Sequence, residues 1–358
     1  MRLGPPWTPK LIVARRRTAM AAPLASPLAC LLLGMALLAG CSPRVVGLGA
    51  PVTTPAIGAG HLRTADGLRL ALHEWQPDGP PRAQLLALHG LNDHAANFIA
   101  ESAPPLRAGG LRLLAYDQRG HAGNPHRGIW AGPEALASDA VAAIRLIRAQ
   151  RPDVPLFVLG ESMGANVALL AAERLQAAGE ASLVDGWILL APGLWRLEEM
   201  NAVTAASFRL ALLQFPSLGV SSASPAMIAT DNQAALDRFA EDPLTVKDTR
   251  VDVVAGLLEM NGISKAAVAR CCAAPTLFLY GAKDNVTEQA PTVATLRRLP
   301  AGGGGRVGLY RQGWHILLRD QQRAVVAEDI LAFTRAPQAA LPSGAEQEGA
   351  AWIARGAF

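Results

Sequence analysis

Residues with chemical potential converge on one pentapeptide of this 358-residue chain, Gly160-Glu161-Ser162-Met163-Gly164. A serine hydroxyl is a weak nucleophile until a base takes its proton and a third group orients that base. A GxSxG pattern is common by chance, so its surroundings decide its meaning. Here the apolar run Leu156–Leu159 leads in and the helix-forming run Ala165–Leu175 leads out. That order predicts a strand, a sharp turn and a helix, with Ser162 held in a strained, exposed position where the helix dipole favours developing negative charge. The competing reading is a serine that caps a helix after a tight turn.

The partners follow from chain order. In a strand-elbow-helix arrangement the nucleophile comes first, then the acid, then the histidine. Of the histidines at 61, 73, 89, 94, 121, 126 and 315, only His315 follows Ser162. It lies just past the apolar run Val307–Tyr310. Asp284 follows the run Thr276–Tyr280 and is the expected acid, holding one tautomer of the imidazole. Asp242, Asp248 and Asp252 also fit the order, but they lie outside the alternating pattern described below. A tetrahedral intermediate requires amide donors for its oxyanion. The amide of Met163 is one, and the loop His89-Gly90-Leu91-Asn92 after Gln84–Leu88 offers the Leu91 amide as the second. His89, Asp93 and His94 could also be read as metal ligands, but the turn accounts for His89 and Gly90, and no matching set occurs elsewhere. No metal and no organic cofactor is expected.

These residues need a frame to bring them together. From His61, two extended segments flank the turn Ala65-Asp66-Gly67. Beyond them, short apolar runs (Gln84–Leu88, Leu111–Tyr116, Leu156–Leu159, Trp187–Leu190, Thr276–Tyr280, Val307–Tyr310) alternate with helical stretches such as Pro133–Ala149, Met163–Ala178 and Arg319–Thr334. Such alternation predicts an α/β fold, a mostly parallel central sheet with helices on both faces. Residues 61–194 and 271–336 are read as its core. The pattern lapses over 195–270, which reads as an inserted helical cap, and the Ala/Gly/Glu-rich stretch 337–358 reads as a disordered tail.

Composition narrows the remaining classes. A hydrophobic content of 51% suffices for a large core. With a net charge of only +4, scattered basic residues and 5% aromatics, nucleic acid is not an expected partner. Cys30, Cys41, Cys271 and Cys272 show no zinc-type spacing. Adjacent residues rarely reach disulfide geometry, so Cys271 and Cys272 are expected as buried thiols. Arg15-Arg16-Arg17 precede an apolar stretch from Ala19 to Ala39, the layout of an export signal over 1–40. Residues 42–60, rich in Gly and Pro, then read as a flexible tether. A plain transmembrane anchor is the competing reading.

Two resemblances extend these readings. Leu38-Ala39-Gly40-Cys41 resembles the lipobox of bacterial lipoproteins. That implies a lipidated Cys41 and a place in the bacterial cell envelope, on the outer membrane facing the periplasm because Ser42 stands where an aspartate would imply inner-membrane retention. His89-Gly90, Tyr116-Asp117-Gln118-Arg119-Gly120-His121, the Ser162 pentapeptide, Asp242-Pro243-Leu244, Asp284 and His315 resemble the monoacylglycerol lipase and lysophospholipase branch of the α/β-hydrolases. The resemblance covers nearly all of His61–Thr334 and implies a lipid ester substrate, with Asp117–His121 packing near the site rather than catalysing. Asn92 departs from the glycine of many relatives, which puts the loop path at Leu91 in question. The other expectations are a carboxylesterase or peptidase for small soluble substrates, and a non-catalytic envelope binding protein. Dehalogenase-like relatives are disfavoured because the elbow carries Ser162.

Overall fold

Every apolar run identified above forms a strand in the computed structural model, which describes Met1 and residues 42–221 and 227–356. The expected export segment after Met1, together with Cys41, lies outside the described residues. Contacts divide the chain into Met1–Ser42 and Pro43–Phe358, and the second unit carries the sheet and its helices.

It opens with β1 (Ala56–Gly58), β2 (His61–Arg63) and β3 (Arg69–Trp75), all antiparallel. There follow β4 (Ala83–Leu88), α1 (Ala95–Ile99), α2 (Ala103–Ala108), β5 (Leu111–Tyr116), α3 (Gly132–Gln150), β6 (Leu156–Glu161), α4 (Met163–Ala177) and β7 (Gly186–Leu190). The region after β7 holds α5 (Ala202–Gln214), β8 (Gly219–Ser221), α6 (Gln233–Glu241), β9 (Asp248–Arg250) and α7 (Val251–Ala267). The chain then returns through β10 (Thr276–Gly281), α8 (Gln289–Leu296), β11 (Gly305–Tyr310), α9 (Arg323–Arg335) and α10 (Ala345–Arg355). The main sheet runs β1-β2-β3-β5-β4-β6-β7-β10-β11 and is parallel from β5 onward.

Burial on both faces explains why the central strands read as unbroken apolar runs. Leu86, Leu88 and Val158 join Ile144 and Leu170 in one core layer. Their neighbours Leu85, Ala87, Phe157 and Leu159 join Phe98, Ile330 and Phe333 in the other. Each of the leucine, isoleucine, valine and phenylalanine side chains among them contributes about 1.5–3 kcal/mol relative to exposure. With the parallel strands aligned, the loops after β4, β5, β6, β10 and β11 all leave one edge of the sheet, where ligands bind in folds of this kind.

Five expectations are corrected. The tether is docked rather than free from Arg44 onward: the Arg44 amide donates to the Asp252 carboxylate (3.0 Å), Val46 N–H to Trp130 O (2.8 Å) and Val52 N–H to Ala65 O (2.8 Å). The expected tail folds back as α10 along β11, burying Trp352 against Tyr280 with ring centroids 5.3 Å apart. Its glycine content is a packing requirement, since a Cβ on Gly349 would lie 2.2 Å from Val307 O. The core also resumes before residue 271: α7 packs on α4, and Asn166 donates to Asn261 Oδ1 at 2.6 Å, so the cap ends near Arg250 and includes the small β8–β9 sheet. The helix expected from Arg319 begins at Arg323, because Arg319 and Asp320 turn inward to ion-pair and hydrogen-bond the site. Cys271 and Cys272 form a disulfide rather than two thiols, with Cys272 at φ +75° in the left-handed region that an adjacent pair can exploit.

Candidate active site

Ser162 occupies the turn between β6 and α4 at φ +54°, ψ −116°, a strained conformation for a side chain with a Cβ. The turn closes only because its neighbours are small. A Cβ on Gly160 would lie 2.2 Å from Gly164 O, and one on Gly164 would lie 2.1 Å from Leu88 O. The amide of Ser162 is tied to Leu190 O on the adjacent strand β7 (2.8 Å).

The structure brings together the three residues expected from sequence. His315 Nε2 lies 2.9 Å from Ser162 Oγ, and His315 Nδ1 lies 2.9 Å from Asp284 Oδ2. Asp284 is itself fixed: its Oδ1 accepts the amides of Val286 (2.8 Å) and Thr287 (3.1 Å), and Oδ2 accepts the Thr287 hydroxyl (2.6 Å). The His315 loop is fixed by the Trp314 amide donating to Asp320 Oδ2 (2.7 Å) and by the Ile316 amide donating to Ala229 O in the cap (3.0 Å). Burial disfavours the imidazolium, but the carboxylates of Asp284, Glu161 and Asp320 outweigh it and raise His315 above its ordinary value. Burial likewise works against the Asp284 anion, and His315 with its other donors keeps that carboxyl below its usual range.

Leu91 and Met163 flank this arrangement. Met163 is buried as the first residue of α4. The Leu91 loop lies on the elbow, since a Cβ on Gly90 would be 3.6 Å from that of Ser162. His89 anchors this loop by donating from Nδ1 to Gly90 O (2.8 Å) while Nε2 accepts the Gln118 amide (2.9 Å). Burial and the nearby His121 depress its pKa to about 3, so it stays neutral as this pairing requires. Asn92 adopts φ +67°, a conformation that asparagine tolerates almost as glycine does, so the departure from the family pattern preserves the turn.

The remaining candidates have other partners. Asp242 lies 2.8 Å from His94 Nε2, and Asp252 binds Arg250; Asp248 is exposed at the start of β9. His89, Asp93 and His94 each engage protein groups rather than converging, and among the described residues no cluster of three or more His, Cys, Asp or Glu is placed to hold a metal.

One cluster escapes a reading of sequence. Arg319 lies 2.7 Å from Asp93 and 3.0 Å from Glu161, all three buried, so one guanidinium joins the loops that carry Leu91, Ser162 and His315. Burial pushes Glu161 up to about 7 despite Arg319. Only the position of Glu161 inside the pentapeptide hints at this cluster.

Comparison with known proteins agrees with the geometry. The Hydrolase_4 family, described as serine aminopeptidase, S33, matches residues 79–322. The chain is 26% identical over 275 residues to the monoglyceride lipase of Rattus norvegicus, covering 75% of this chain and 87% of that protein. It is 22% identical over 268 residues to the monoacylglycerol lipase of Mycolicibacterium smegmatis, covering 75% and 93%. Among solved structures, the fold resembles a soluble variant of monoglyceride lipase from Saccharomyces cerevisiae (TM-score 0.63, 16% identity, 82% of this chain and 97% of that one). It also resembles the monoacylglycerol lipase of Paleococcus ferrophilus (TM-score 0.59, 19% identity, 74% and 98%). With the family match spanning more than half its length and the expected sheet beneath it, the chain belongs to the Hydrolase_4 (serine aminopeptidase, S33) family and has the α/β-hydrolase fold.

Proposed function

We propose that this protein is a serine hydrolase that cleaves carboxylic esters of single-chain lipids, monoacylglycerols or lysophospholipids, through an acyl-enzyme on Ser162. The observation that carries the reading is the unbroken hydrogen-bonded line from Ser162 Oγ through His315 to Asp284. His315 takes the hydroxyl proton as Oγ attacks the ester carbonyl, and Asp284 holds Nδ1–H toward itself and stabilises the imidazolium. The amides of Met163 and Leu91 receive the developing oxyanion. Collapse expels the alcohol, which takes the proton from Nε2. Water then repeats the sequence on the acyl-enzyme and releases the fatty acid.

Support for a lipid comes from the relatives named monoglyceride or monoacylglycerol lipase and from the cap. The cap exposes Val203, Leu210, Leu213, Phe215, Leu218, Val220, Met227 and Ile228. It also reaches the catalytic loops, the Ile228 amide donating to Asn285 Oδ1 at 3.1 Å. A series of p-nitrophenyl esters is expected to show kcat/KM rising with acyl length. The family's aminopeptidase description favours a second reading, and a short-chain optimum, or faster cleavage of aminoacyl anilides, would replace the lipid assignment with it.

The anchor belongs to the same proposal. Lipidated Cys41 would hold the enzyme on the outer membrane facing the periplasm, beside such substrates. No helix among the described residues is long and apolar enough to cross a membrane. Cys41→Ser is expected to move the protein to the soluble fraction. Retention in the membrane fraction would instead assign anchoring to an uncleaved apolar segment.

A further inference from the structure

The Leu91 loop is held from three directions, and one of them is the cap. On its upstream side, His89 pins the loop to Gln118. On its downstream side, Asp93 accepts the His94 amide (2.8 Å) and the Asn97 side chain (2.8 Å), and Ala95 N–H donates to Asp117 Oδ1 (2.9 Å). The residue between them, Asn92, has no such partner in its own neighbourhood. It reaches instead to the root of the cap, 157 positions along the chain: Asn92 Nδ2 donates to Thr249 Oγ1 at 2.6 Å, and Asn92 O accepts the Val246 amide at 2.9 Å. Two residues on, His94 Nε2 meets Asp242 Oδ2 at 2.8 Å. The cap segment so gripped is itself secured, because Arg127 donates to Pro243 O and Thr245 O (2.6 Å each).

We propose that Asn92 is a positioning residue through which the root of the cap, Val246–Thr249, sets the aim of the Leu91 amide in the oxyanion site. The inference rests on the acyl-transfer reading above. Position 92 has two requirements. Its backbone must adopt φ +67°, which glycine, asparagine and aspartate tolerate, and its side chain must donate to Thr249, which excludes glycine. Asn92 and Thr249 are both buried, so water is a poor substitute for the lost partner. The Leu91 amide is one peptide unit away from this clamp, and a displacement of about 1 Å at a reacting centre can cost on the order of 10²-fold in rate. The cap would therefore do more than cover the substrate: its seating completes the oxyanion site.

The test uses Asn92→Gly, which keeps the turn and removes the donor, together with Thr249→Val and Thr249→Ser in the full-length protein. Asn92→Gly and Thr249→Val are each expected to lower kcat about 10- to 100-fold with KM changed less than about 3-fold. The double variant should be no worse than either single one, since both remove one bond. Affinity for an alkylboronic acid, whose tetrahedral adduct places an oxygen in the same site, should fall in parallel with kcat. Thr249→Ser retains the acceptor and should restore wild-type kcat. The proposal is overturned if kcat and boronate affinity stay within about 2-fold of wild type, or if Thr249→Ser fails as Thr249→Val does. It is likewise overturned if losses merely track the fraction unfolded. Failure of the underlying acyl-transfer reading looks different: the wild-type enzyme itself would neither turn over esters nor bind the boronate.

Discussion

Replacing Ser162 by alanine is expected to lower turnover by on the order of 10⁴ or more while leaving the fold intact, because the removed oxygen is the only atom of the line that bonds to substrate. Alanine carries the same Cβ in the same elbow conformation, so the backbone strain is unchanged and stability should stay near that of the wild type. Asp284→Asn should approach the same loss, since an amide in place of the carboxylate allows the wrong tautomer of His315. The pH profile gives a second readout. His315 must be neutral to accept the proton, so kcat/KM should rise with pH through its pKa, which the surrounding carboxylates hold above the ordinary value. Glu161→Gln removes one of those carboxylates without touching Asp284, so the acid limb should move to lower pH. A limb that stays in place would show that Glu161 does not act on the imidazole.

Arg319→Met is expected to be the most damaging change outside the three site residues, costing about 3–5 kcal/mol of stability, because it leaves Asp93 and Glu161 buried without their cation. Urea unfolding monitored by circular dichroism measures this directly, and a cost below about 1 kcal/mol would mean that water, not Arg319, satisfies the two carboxyls. The sign of the pH dependence follows from Glu161. Burial raises its folded pKa to about 7, above the ordinary carboxyl value of 4.5. The folded state therefore binds more protons than the unfolded state between those limits, and the contribution of this group to stability falls as pH rises through that window. Glu161→Gln should remove that slope.

The chain order of Ser162, Asp284 and His315 was legible because each follows an apolar run, and a parallel sheet carries the ends of such runs to a common edge. The sheet was legible for the same reason: strands buried on both faces read as continuous apolar segments. The elements that escaped lack a periodic signature. The Gly/Pro-rich stretch from Arg44 has no apolar alternation, and it is held by individual amides finding acceptors on Asp252, Trp130 and Ala65. In α10, Ala345 and Gly349 look like marks of disorder until β11 is in place, where small residues permit close approach. Arg319 and Asn92 owe their importance to partners more than 150 residues away, Glu161 and Thr249, and no local pattern encodes such pairings.

Labelling with a fluorophosphonate tests the central claim most directly, because only a hydroxyl whose proton is being withdrawn reacts rapidly at neutral pH. The full-length protein should incorporate one equivalent of probe, with the adduct mapped by mass spectrometry to Ser162, and both Ser162→Ala and His315→Ala should abolish it. Labelling that persists in Ser162→Ala, or an adduct on another residue, contradicts the account.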